Sequence, residues 1–273
     1  MKAAVKTRIK KAVDVCMTLL LLCLMAYQVT GEVLHEWGGI GMTALLILHH
    51  ILNFRWYRSL FKGKYTAYRV LTVTVNTLLL LSIGLTAACG MAMSAHAAPF
   101  LYGMLPVSFA RQVHLAGSFW SFILMGVHLG LHVPAMTAGC RWSGRVRALL
   151  GSAAAVAAGI GVWLFHKNGI AAYIFLRIPF AFFDYDKGAV PVFLENLAML
   201  TAFAFIGKEA ATLIRGAQSR AEGRKARIAA SLTRILAAAL IGGAASLPAV
   251  RAPGLPSDTA SVIPAAALPY SSS

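Results

Sequence analysis

Charge is what this sequence has least of: 12% of its 273 residues are charged, where soluble domains carry about a quarter. That shortage excludes an ordinary soluble globular protein, and the shortage of polar residues generally excludes disorder over most of the chain. Acidic residues are scarcest, nine against 25 Lys and Arg, for a formal net charge of +16. In a soluble protein such an excess points to nucleic acid. In an apolar chain it reflects basic loops on the cytoplasmic side of a membrane, so no nucleic-acid partner is expected. The four cysteines (Cys16, Cys23, Cys89, Cys140) form no CxxC, which removes the zinc ribbon, the iron–sulfur signature and the CxxCH attachment site of c-type haem. No GxGxxG follows a strand pattern, so the chain itself is not expected to bind NAD or FAD.

Long apolar runs are what it has. A bilayer core takes about 20 apolar residues per helix. Six segments qualify, over 15–29, 35–54, 70–93, 112–134, 148–166 and 191–214, and a shorter Ala-rich one over 232–247 is a seventh candidate. The first follows a basic stretch, but no small-residue cleavage site comes before Glu32, so it reads as a retained helix. With the N-terminus inside, 20 of the 25 Lys and Arg fall on inner segments. This bias predicts a multi-pass protein of the cell membrane with its N-terminus in the cytoplasm. Two further stretches do not span: the uncharged outer loop 94–110, and 170–183, which is apolar but short, interrupted by Pro179, and expected to lie along the outer face as an aromatic interfacial piece.

Histidine inside a membrane marks function by default. The second segment holds His35, His49 and His50, and the fourth holds His114, His128 and His132. His35 and His49 are 14 residues apart, and so are His114 and His128. Fourteen helical residues rise about 21 Å and turn to within about 40° of four full turns. Each pair therefore shares one helix face near opposite sides of the membrane. Both helices run from outside to inside, which sets His35 level with His114 and His49 level with His128. The expectation is two bis-histidine haems, one outer and one inner, and two axial imidazoles favour electron transfer over oxygen binding. His50 and His132 are the alternate ligands, each next to or one turn from an expected one. Glycines beside these histidines (Gly38, Gly39, Gly41, Gly117, Gly126, Gly130) allow a flat macrocycle to come close, or equally allow helices to pack.

The segments Val33-Leu34-His35-Glu36-Trp37-Gly38-Gly39, His49-His50-Ile51-Leu52-Asn53 through Trp56-Tyr57, Arg111-Gln112-Val113-His114 with Ser118-Phe119-Trp120, His128-Leu129-Gly130-Leu131-His132, and Phe182-Phe183-Asp184-Tyr185 together resemble the flavinylation-associated cytochrome family, a b-type membrane cytochrome domain. The resemblance covers about residues 12–135, and more loosely to about 207. It implies two haems b held by His35, His49, His114 and His128, and an extracytoplasmic flavin-binding protein as partner. The expected architecture is an all-α integral membrane protein, a haem-binding transmembrane bundle of six to seven helices. It divides into a four-helix diheme core (1–135), two further transmembrane helices with the aromatic outer segment (136–215), a basic cytoplasmic linker with the seventh helix (216–250), and a disordered outer tail (251–273). The expected activity is transmembrane electron transfer, as a subunit of an oxidoreductase system, between the quinone pool or a cytoplasmic donor and an extracytoplasmic flavoprotein. Two alternatives stand beside it. One is a quinone-reactive cytochrome b subunit of a membrane-anchored dehydrogenase or hydrogenase, with His96, Arg111, Asp184, Tyr185 and Glu195 as candidate outer polar groups. The other is a histidine-based cation or metal transporter, disfavoured because acids inside the proposed spans are few (Glu36, Glu195 and Glu209) and lie toward the span ends.

Overall fold

The computed structural model describes residues 2–220. The expected seventh helix over 232–247 and the tail over 251–273 lie outside the described residues. Within them the chain is helical, with no strand. The helices are α1 (Lys2–Met25), α2 (Tyr27–Leu52), α3 (Arg55–Leu60), α4 (Ala67–Met91), α5 (Val107–Thr137), α6 (Gly144–Lys167), α7 (Ile170–Ile174) and α8 (Ala189–Ser219).

All six apolar segments are largely helical, and each helix begins before its segment, at α4 and α6 with a polar residue as cap. Thr66 accepts the Arg69 amide at the start of α4, and Ser143 accepts the Val146 amide at the start of α6. These side-chain oxygens satisfy amides that have no partner inside the helix. Gly31, at φ 72°, breaks α2 after its first turn, a conformation that costs glycine little. The true long helix of α2 therefore begins beside Glu32 and carries all three of its histidines.

Helices α1 and α2 form an antiparallel hairpin: Lys10 Nζ donates to Asn53 Oδ1 (2.7 Å), while Leu20 and Leu24 lie against Gly38. Helices α4 and α5 form a second, joined by Ser82 and Ser121 hydroxyls (2.9 Å) and by Tyr68 donating to the Leu131 carbonyl (3.0 Å). Helix α8 runs parallel to α5 and antiparallel to α6. Gly126 and Gly130 receive the α8 backbone around Phe203 and Ala204, Gly207 receives Val127, and Gly161 receives Ala198. Small residues here let helix axes approach closely. The glycines flanking His128 are thus occupied by helix packing.

Outward faces are apolar and exposed, as at Leu78, Leu81, Leu85, Val156, Ile160 and Leu194. Four helices, α4, α5, α6 and α8, are long and apolar enough to cross a membrane, so a lipid bilayer is the surrounding that this surface fits. Helices α1 and α2 carry more charge and histidine. The segment 170–183 departs from the expected surface piece at its start. In α7, Tyr173 is buried and stacks on Phe119 of α5 (5.1 Å between ring centres), because one helical turn suffices to turn its ring inward. The exposed aromatic stretch begins only at Phe175.

Candidate functional site

Helix α2 packs along α1 and touches α4 in a few places, but its backbone is not packed against α5. Across that separation the imidazoles of α2 and α5 face each other. At the outer end the His35 and His114 ring centres are 5.9 Å apart, at 72°. His114 Nδ1 donates to the Thr86 carbonyl of α4 (2.8 Å). A carbonyl only accepts, so Nδ1 carries the proton and Nε2 keeps its lone pair. The ring rests on Gly90: a Cβ there would sit 2.9 Å from His114 Cε1 and 3.0 Å from Nδ1. His35 Nδ1 is buried and makes no hydrogen bond.

The outer ring pair is walled by neighbours. Glu36 reaches into the 94–98 loop, where its carboxylate accepts from Ser94 Oγ (2.7 Å) and from the amides of Ala95, His96 and Ala97 (3.1, 2.7 and 2.9 Å). That clasp ties the outer loop to the residue after His35. Tyr27 meets His35 edge-on (5.0 Å) and stacks on Phe183 (5.3 Å), which in turn meets the exposed Tyr185 (6.0 Å).

At the inner end His49, His50, His128 and His132 gather. His128 and His132 ring centres are 4.7 Å apart, His49 and His50 5.5 Å, and His128 is within electrostatic reach of His49 and His50. Each of three rings has its Nδ1 engaged: His128 with Asn76 Oδ1 of α4, His49 with Asp14 Oδ1 of α1, and His50 with the Tyr57 hydroxyl, all at 2.8 Å. Asn53 locks the His49 turn by donating to its carbonyl (2.9 Å).

These groups match the demands of a metal held by imidazole. Two rings binding one ion at about 2 Å each stand with centres roughly 6 Å apart. Ligating histidines almost always give their second ring N–H to a carbonyl, carboxylate or amide, as His114, His49 and His128 do here. The separation of α2 from α5 and the buried His35 Nδ1 without a hydrogen bond fit a flat group between the helices at the level of His35 and His114, and at the other level the donor set of His49 and His128, each with its Nδ1 engaged, suits the same group.

Other candidates stand apart. His96 lies with Glu32 and Glu36, but the Glu36 oxygens are already taken by the loop amides. Glu195 is paired with Lys187 (2.5 Å) and Asn168, Arg111 lies over Phe180, and His166 meets Phe165. Asp14, Asn76, Gly90 and Tyr27 were not singled out by sequence reasoning. Asp14 is the only acid before Glu32, and Asn76 the only amide in the third apolar segment, which is the signal that marks them. No protein-family model, curated protein or solved structure matches the chain.

Proposed function

We propose that this chain is a membrane-embedded electron-transfer subunit that holds two b-type haems, an outer one by His35 and His114 and an inner one by His49 and His128, with the N-terminus in the cytoplasm. The observation that carries this reading is the outer pair: two imidazoles from helices whose backbones stand apart, facing each other at 5.9 Å with one Nδ1 committed to a carbonyl. Haem iron bound here would supply one-electron chemistry, and two imidazole ligands would leave no position for a substrate. The chain's own groups orient the ligands: Thr86 for His114, Asn76 for His128, Asp14 for His49. The bundle of α4, α5 and α8 keeps water from the inward faces of α5, where Phe122, Met125 and Leu131 are buried.

The partner belongs to the same reading: an extracytoplasmic flavoprotein that docks over the outer end. What supports it is the aromatic run from His35 through Tyr27 and Phe183 to Tyr185, beside exposed Phe175, Phe180 and Phe182. Exposed aromatic patches mark protein contacts. The orientation is supported by the basic inner segments.

The test is the optical spectrum and haem content of the purified protein. Two haems b per chain are expected. His35→Ala or His114→Ala removes one, and His49→Ala or His128→Ala the other, while His50→Ala and His132→Ala retain both. A protein without haem, or one that keeps both haems after losing His35 and His114 together, overturns the reading.

A further inference from the structure

The four imidazoles differ in what stands behind them. His114 has a backbone carbonyl, His128 an amide oxygen, and His35 no hydrogen bond at Nδ1. Only His49 has a carboxylate, Asp14 Oδ1 at 2.8 Å. The carboxylate is kept for that ring. Lys10 lies one turn before Asp14, the spacing of a helical ion pair, yet its Nζ goes across to Asn53 Oδ1. Asn53 then donates to the His49 carbonyl, so the Lys10–Asn53 bridge and the Asp14–His49 contact hold one turn of α2 against one turn of α1.

An acceptor behind Nδ1 raises the basicity of Nε2, and a carboxylate does so more than a neutral oxygen. A more basic ligand, with a negative charge behind it, favours the oxidised and more positive iron. We propose that Asp14 is a positioning residue that acts through His49 to make the inner haem site the lower-potential of the two. This rests on the haem reading above. At the outer site neither ring is hydrogen-bonded to a carboxylate: the oxygens of Glu36, the residue after His35, are turned into the 94–98 loop. The ordering makes outward movement of one electron downhill, the inner iron losing it and the outer iron gaining it, with no other reactant.

The experiment is anaerobic potentiometry with optical detection on the purified full chain. Wild type, Asp14→Asn and Asp14→Glu are compared, each also in a His114→Ala background that leaves the inner site alone. The wild type shows two waves. Asp14→Asn raises the lower wave by about tenfold in the one-electron equilibrium, about 59 mV. The upper wave and both bis-histidine spectra stay as they were, and Asp14→Glu returns the lower wave toward wild type. In the His114→Ala background the remaining wave is the lower one, and it moves in the same way. A lower wave that Asp14→Asn leaves in place, or a shift of the upper wave instead, overturns the proposal. If Asp14→Asn loses the inner haem, Asp14→Glu decides: a lower wave at its wild-type position supports the proposal, and one raised by tenfold overturns it. A wild-type chain without haem overturns the haem reading and this proposal together, whereas two haems with an unmoved lower wave overturn this proposal alone.

Discussion

Replacing Gly90 by alanine adds one methyl group to α4, and the structure says where it goes. The new Cβ falls 2.9 Å from His114 Cε1 and 3.0 Å from Nδ1, while ordinary contact begins near 3.4 Å. Helix α4 is fastened to α5 one and two turns before this point by Thr86 and Ser82, so the imidazole is the part that gives. Moving it away by about 0.5 Å stretches the 2.8 Å bond from Nδ1 to the Thr86 carbonyl beyond the usual N–H···O range of about 2.7–3.2 Å. Stranding a buried donor costs about 1–3 kcal/mol, which is roughly a tenfold to hundredfold loss in affinity for a group held by that ring. Gly90→Ala therefore releases the outer haem selectively: haem content falls from two toward one per chain, and the spectrum of the inner haem remains. Gly84→Ala is the control, on the same helix with nothing within 4 Å of its added Cβ, and it keeps both haems. Two haems in Gly90→Ala at wild-type affinity, or equal loss of both, would refute the argument that His114 is held against α4 as an outer ligand.

Asn76→Leu removes the acceptor of the His128 Nδ1–H and weakens inner haem retention by about 10–100-fold, read as loss of one haem on dilution in detergent with the outer one kept. Gly130→Ala drives a Cβ into the Ala204 carbonyl and to 2.7 Å from the Lys208 amide, where only backbone can move; it costs about 1–3 kcal/mol, measured as a lower unfolding midpoint in detergent. Phe182→Ala trims a side chain that is 75% exposed, so under the proposed function it slows electron exchange with the proposed extracytoplasmic flavoprotein and leaves both haem spectra unchanged. Removing residues 251–273 leaves two haems per chain, because every proposed ligand lies between His35 and His128.

The helices were legible because their cause is local: six apolar runs in a chain short of charge produce six long helices. Their ends were less so. Caps such as Thr66 and Ser143 lie outside the apolar run, so α4 and α6 begin earlier than hydropathy alone indicates. Tyr173 was misjudged for the opposite reason. The apolar segment after His166 has no periodicity long enough to show which side faces the bundle, and the stacking of Tyr173 on Phe119 is a contact between distant parts of the chain. The glycines were readable as close approaches but not as approaches to what. Gly126 and Gly130 meet α8, Gly117 meets Thr86, and Gly90, which lies against His114, sits on a helix with no histidine of its own.

The groups behind the histidines follow from hairpin register. In an antiparallel helical hairpin one fold point pairs every residue of the first arm with one of the second. Lys10 with Asn53 and Asp14 with His49 are both centred on the same point, between Gly31 and Glu32, where positive φ breaks the helix. A hairpin folded about Gly31 therefore sets the only acid of α1 opposite His49. In the second hairpin, Tyr68 with Leu131, Ser82 with Gly117 and Thr86 with His114 share nearly one centre, and Asn76 with His128 is centred about two residues further along, a register offset of a little over one helical turn. The spacing of 14 within α2 and α5 sets the levels, and the two turns that close the hairpins decide which polar group stands behind each ring. Histidine spacing names the proposed ligands from one helix at a time. Their orientation and electrostatics come from α1 and α4, helices without a single histidine, through contacts of 28 to 52 residues in sequence separation. A rare polar residue in an apolar helix is thus best read at the position its hairpin partner assigns to it: Asp14 falls opposite His49, and Asn76 reaches His128 from about one turn away.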